Sequence, residues 1–266
     1  MQMNRRLSAL VLSLLLTACA GTSTAPRPEI KQALAPTGKL RVGVYPGSPT
    51  SMLRDPASGE VKGVSVDLGK ELAKRLGVPY EQVEYRRIAE VIEALKSGAA
   101  DFTISNASPA RAKEVDFTQP LVSIELGYLV PPGSPVSTLA DIDQPGIRVG
   151  VTQGSTSQST LPHEFKNAAV VPVPTLNAAI EMFAQRKLDA FATNKAILFE
   201  MSESLPGSRV LDGRWGIEQL AIAIPKGRDQ GMAYVRDFVE DANAKGLVTR
   251  AVERAGLRGT VKTNSR

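Results

Sequence analysis

The order in which strand and helix signals alternate constrains this chain more than any other feature. “KLRVGVY”, residues 39–45, alternates and is rich in valine, the mark of a strand. In “VSVDLGKELAKRLG” the side chains of Val66, Leu68, Leu72, Ala73 and Leu76 share one helical stripe, and Gly77 stops it. “QVEYRRI” predicts a second strand, “AEVIEALKSG” a second helix ending at Gly98, and “DFTIS” a third strand. This order calls for a parallel sheet with helices on its faces. The pattern then recurs. “IRVGVT” is a strand, “STSQSTL” begins a helix, “AVVPVP” is a short strand, “TLNAAIEMFAQRK” an amphipathic helix and “LDAFAT” a strand. Two extended runs, 124–130 and 217–227, lie between the units and after the second, and helices over 230–244 and 247–255 follow. The chain leaves its first unit near Gly127 and returns near Leu220. The expected fold class is α/β, two lobes joined by two extended strands. A ligand belongs between the lobes, at the carboxyl ends of the strands.

The ends read differently. Arg5 and Arg6 precede the apolar run 7–16 and then Thr17-Ala18-Cys19, a secretory signal over residues 1–18. Its core falls short of the roughly 20 apolar residues that span a bilayer. “LTAC” resembles the bacterial lipobox, which makes Cys19 the lipidated first residue of the mature protein; a chance cysteine behind a plain signal is the alternative. Cys19 is the only cysteine, so no intramolecular disulfide exists. Residues 19–37, rich in Ser, Thr, Pro and Ala, are expected to form a lipidated tether. Lobe 1 is expected over 38–127 plus 221–258, lobe 2 over 128–220, and a flexible tail over 259–266. The formal net charge of +5 is concentrated at the ends. Arg5 and Arg6 lie in the leader, and after Val248 Arg250, Arg254, Arg258, Lys262 and Arg266 face only Glu253. The body between is close to neutral, which argues against a nucleic-acid partner.

Five segments, “KLRVGVY”, “GVSVDLGKELAKRLG”, “SPARAKEVDFTQPL”, “VGVTQGSTSQ” and “GIEQLAIAIPKG”, carry a resemblance. In order and spacing the set is similar to the periplasmic solute-binding proteins of ABC importers, polar amino-acid branch, family 3. It covers most of residues 38–258. The resemblance implies a type II periplasmic-binding-protein-like fold, two lobes on two hinge strands, that takes up a small anionic or zwitterionic solute. It also implies a monomer without cofactor that serves an ABC permease in the inner membrane from the periplasm, held to the membrane by its lipid anchor.

Within that frame Arg111 is the foremost ligand candidate. A guanidinium presents a planar fork that matches a carboxylate with two parallel bonds, and the family's “T-x-x-R” run, here Ser108-Pro109-Ala110-Arg111, implies that role. Ser108 is expected to cap a helix with Pro109 in its first turn. Ser105 and Asn106 precede that helix as polar contacts, with ordinary turn chemistry as the other account. In “TQGSTS”, Thr152 and Thr156 match family contact positions, and Ser155 or Thr156 is expected to cap a helix whose free amides face the cleft. Two departures stand out. Asn194 occupies the place where the resemblance implies an aspartate for the ammonium group, and the first-strand loop “YPGSP” leaves only Tyr45 as an aromatic rest. The anion-binding half is kept and the cation-binding half is weakened, so a carboxylate without an amine and an amino-acid derivative both stay open. Glu125 and Glu218, on the extended runs, are candidates to restore the charge, with hinge solvation as the alternative.

Catalytic sets are thin. His163 is the lone histidine, which leaves little for a histidine-rich metal site or a triad, and no P-loop or dinucleotide fingerprint occurs. A binder without catalytic residues is expected. The alternative is a periplasmic enzyme on the same fold, cyclohexadienyl-dehydratase-like, which requires a buried acid in the cleft.

Overall fold

The structure, a computed structural model, describes residues 26–261. The signal over 1–18 and the lipidation expected at Cys19 lie outside the described residues. Lobe 1 opens with α1 (Pro28–Leu34), β1 (Leu40–Val44), the short pair β2 (Leu53–Arg54) and β3 (Val61–Lys62), and α2 (Val64–Leu76). It continues through β4 (Tyr80–Glu84), α3 (Ile88–Ser97), β5 (Thr103–Asn106), the single turn α4 (Pro109–Ala112) and β6 (Val115–Phe117). The first long crossing is β7 (Val122–Val130). Lobe 2 holds β8 (Arg148–Thr152), α5 (Thr156–Glu164), β9 (Ala169–Val173), α6 (Leu176–Ala184), β10 (Ala190–Asn194), α7 (Lys195–Glu203) and β11 (Arg209–Val210). The chain returns on β12 (Gly216–Pro225) and closes with α8 (Asp229–Ala244), α9 (Leu247–Arg254) and β13 (Thr260–Val261).

Parallel pairing appears where the alternation requires it: β1 with β4, and β8 with β9 and β10. The two crossings pair with each other antiparallel, from Gly216 opposite Leu126 to Leu220 opposite Val122. Beyond that stretch they part. β7 runs on beside β10 in lobe 2, and β12 beside β5 and β6 in lobe 1. Among the described residues, the lobes are therefore joined by two strands lying side by side, which is a hinge.

Each lobe buries apolar side chains on both faces of its sheet. On β1, Leu40, Val42 and Val44 point at α2, α8 and α9, while the opposite face of lobe 1 meets Val91 and Leu95 of α3. In lobe 2, Val149 and Val151 join Leu161 of α5, whereas Phe191 joins Phe183 of α6 and Leu198 of α7. One polar device is used twice. Arg41 forks onto Asp101 with its Nε donating at 2.8 Å, and Arg148 does the same to Asp189 at 2.8 Å.

Three segments depart from the sequence expectation. Within the stretch expected as a tether, Pro28–Leu34 is helical and Leu34 is fully buried against α8. A Cβ on Gly231 of α8 would come within 2.7 Å of Leu34 Cδ2, so the two helices are in intimate contact. The expected tail begins with β13, which adds to the edge of β7 at Ile124 and Ser123 after Gly259 turns the chain with φ +75°. Helix α7 is new, capped by the last residue of β10.

Candidate functional site

All eight ligand candidates line one cavity between the lobes. From lobe 1 come Tyr45 after β1, Ser105 and Asn106 at the end of β5, and Arg111 in α4. From lobe 2 come Thr152 at the end of β8, Ser155 and Thr156 at the start of α5, and Asn194 at the end of β10. β1, β5, β8 and β10 therefore offer their carboxyl ends. The cavity is small, about 40 Å³ of space for the centre of a water-sized group.

Arg111 is placed by local chemistry. Ser108 is the N-cap and its Oγ accepts from Arg111 N at 3.3 Å, with Pro109 in the first turn. One guanidinium nitrogen, Nη1, donates to Ser105 Oγ at 2.8 Å, and Nη2 donates across the cleft to the carbonyl of Gly154 at 3.3 Å. Since α4 is a single turn, the positive potential here comes from the guanidinium rather than from a helix end. Burial works against that charge and lowers its pKa, while Glu218 supports it.

The opposing wall is more occupied than expected. Ser155, not Thr156, caps α5, accepting from Gln158 N at 3.2 Å. Just before the helix, the amide of Gly154 donates to Gln158 Oε1 at 2.6 Å and is not free for a solute. Asn106 is spent on the protein as well. Its Oδ1 accepts from Gln219 N on β12 at 3.1 Å, and its Nδ2 donates to Thr156 Oγ1 across the cleft at 3.1 Å. Tyr45 packs against core residues of both lobes, and burial raises its phenol pKa. With Leu176 of α6 within 3.1 Å of a Cβ built on Gly47, these contacts describe lobes closed on each other.

Asn194 does not present a free acceptor. Its Oδ1 caps α7 from Ile197 N at 3.1 Å, and its Nδ2 donates to Glu218 Oε2 at 3.0 Å. Of the two hinge glutamates, the structure puts one in the cavity and the other outside. Glu125 is neutralised by Lys195 at 2.7 Å and Arg214 at 3.0 Å. Glu218 is 8% exposed and lines the cavity. Burial raises its pKa, against the opposing pull of Arg111 and of hydrogen bonds from Asn194 and Thr156. Ile88, Leu176 and Ile197 complete an apolar part of the wall that sequence reasoning did not single out; alternation within α3 and the caps of α6 and α7 were the signals available.

Comparison with known proteins agrees with this geometry. A family model described as bacterial extracellular solute-binding proteins, family 3, matches residues 40–256. The ABC transporter glutamine-binding protein GlnH of Bacillus subtilis is 25% identical over 232 residues, covering 84% of this chain and 85% of that protein. The histidine-binding periplasmic protein of Salmonella typhimurium is 32% identical over 153 residues, 56% of this chain and 55% of that one. Among solved structures, the solute receptor for L-cysteine of Neisseria gonorrhoeae superposes with a TM-score of 0.75 at 25% identity, covering 84% of this chain and 92% of that chain. The ancestral amino acid-binding protein AncCDT-1, a precursor of cyclohexadienyl dehydratase, gives 0.71 at 25% identity, with 82% and 95% covered.

Proposed function

Because this chain belongs to the bacterial extracellular solute-binding proteins of family 3, we propose that it captures an amino acid or a close derivative between its lobes and delivers it to an ABC permease. The observation that carries the reading is Arg111: a guanidinium aimed into an interlobe cavity, steadied by Ser105 and Gly154. Its fork suits the α-carboxylate of the solute. In this scheme the solute meets lobe 1 first through Arg111. Bending at β7 and β12 then brings Thr152 and Thr156 over it, and the Arg111–Gly154 and Asn106–Thr156 bonds form only when the lobes meet. Closure is driven by contacts that the open form does not make.

The finer placement belongs to the same proposal. The leader and “LTAC” support export and lipidation at Cys19, so that a monomer works at the membrane surface. Metabolic labelling with a fatty-acid analogue is expected to mark the wild type and not Cys19→Ser; equal labelling of both contradicts the anchor. The solute itself is tested by mass spectrometry of what purified protein releases on denaturation. An amino acid released in a one-to-one ratio is expected, and Arg111→Lys is expected to release far less of it, since a point charge loses the fork. Release from Arg111→Lys equal to wild type removes Arg111 from the site.

One observation favours a second reading. Glu218 is a buried acid in the cleft with a raised pKa, which is what acid–base catalysis on this fold requires. NMR of the bound solute over hours separates the two: an unchanged solute supports the binder, and conversion supports an enzyme.

A further inference from the structure

We infer that Glu218, and not Asn194, holds the ammonium group of the solute, and that the cleft selects an α-amino acid with an uncharged side chain. The inference rests on the amino-acid reading and specifies how that solute is recognised. Among the described residues, Arg111 and Glu218 are the only charged ones lining the cavity. Each acts electrostatically on the other, yet Glu218 makes no ion pair within 4.0 Å among the described residues. A buried carboxylate without a cation is costly. An ammonium seated between Glu218 and the Arg111-bound carboxylate removes that cost, so one cation and one anion held apart in one cavity fit a dipolar solute.

Asn194 is unsuited to the same task. Its carbonyl oxygen is engaged by Ile197 N at 3.1 Å, and what it offers toward Glu218 is a donor, at 3.0 Å. An ammonium needs acceptors. By donating to Oε2, Asn194 orients Glu218 instead. The rest of the wall mixes hydroxyl and amide side chains with Ile88, Ile104, Leu176, Ile197 and Leu220, and holds no further charged residue to pair with a charged side chain.

The test is isothermal titration at neutral pH with solute-free wild type, Glu218→Gln, Glu218→Asp and Arg111→Lys. The probes are L-alanine, L-serine, L-cysteine, L-glutamine and L-arginine, with propionate and L-lactate as carboxylates lacking the amine. The wild type is expected to prefer an amino acid with an uncharged side chain. Glu218→Gln should weaken it about tenfold to a hundredfold, the scale of one charge-assisted contact, without weakening propionate or lactate. Glu218→Asp should restore part of the loss, which a merely structural role for the residue would not produce. If Glu218→Gln binds the amino acid as wild type does while Arg111→Lys does not, the ammonium assignment is overturned and the carboxylate site stands. A wild type that prefers arginine overturns the selection against charged side chains, and one that binds only propionate or lactate overturns the ammonium site. If no probe binds any variant, the amino-acid reading itself fails.

Discussion

Asn194 and Glu218 share one hydrogen bond of 3.0 Å, and substitutions on either side of it have opposite readouts. Asn194→Asp keeps the helix cap, because aspartate caps as well as asparagine. It also sets a carboxylate against Glu218 Oε2, and two carboxylates at that separation share a proton rather than both ionise. The cavity charge is then unchanged, so amino-acid affinity at pH 7 should move by less than about threefold while the pair titrates as a unit. Calorimetry in two buffers of different ionisation enthalpy checks this; a gain of about tenfold or more would place the ammonium at position 194. Glu218 also predicts a pH effect on the protein without solute. Its folded pKa is raised by burial, so the folded state binds the proton more tightly than the unfolded state. That difference favours the fold at acidic pH and is lost as pH rises through the ordinary glutamate range toward the raised value. Glu218→Gln removes the penalty, so its melting temperature should exceed that of wild type at pH 7 and converge with it under acid. Arg111 and Tyr45 face Glu218 and keep their protonation over this range. At this scale Arg111 was legible because Ser108, Pro109 and the strand before them fix it locally. The choice between Glu125 and Glu218 was not, since it depends on hinge register: Glu125 stands opposite exposed Ile217, and Glu218 opposite buried Ile124.

Among elements, the loop from β8 to α5 is where closure is most exposed to test. Gly154 has φ +71°, and a Cβ there would lie 2.4 Å from the Cβ of Ala89 in α3 of the other lobe. Gly154→Ala should therefore leave each lobe folded but hold the cleft open, lowering solute affinity by about tenfold or more through the smaller closed fraction. Calorimetry and small-angle scattering together report this, as weaker binding with a larger radius of gyration; unchanged affinity would show that the lobes do not meet at Ala89. Helix α1 gives a stability test. Leu34 is fully buried between α1 and the lobe 1 core, so Leu34→Ala should cost about 2–5 kcal/mol in urea unfolding, whereas a tether residue would cost nothing. The strand–helix alternation was legible because periods of two and 3.6 dominate residues 39–105 and 147–193. What escaped had weak local signals. Helix α7 follows β10 with no turn between them, and Asn194 serves as the last strand residue and the cap at once. Helix α1 has only seven residues in a stretch whose composition resembles a linker, and docking on α8 rather than propensity holds it.

For the whole molecule, the two-strand hinge makes recognition and motion one event. Arg111 sits on lobe 1, most of the covering wall on lobe 2, and Glu218 on the strand that returns between them. A solute that satisfies Arg111 and Glu218 together does so only where the lobes meet, so its binding energy falls on the closed form. The expected pair of lobes was legible from two repeats of one pattern separated by two extended runs. That the lobes close on a cavity of about 40 Å³ was not, because it depends on side chains from both. The most direct measurement is calorimetric titration of solute-free protein with each of the common L-amino acids at neutral pH. One-site binding of at least one amino acid with an uncharged side chain, abolished or strongly weakened in Arg111→Lys, is the predicted result. Binding by none of them, or binding that Arg111→Lys leaves intact, would contradict the account.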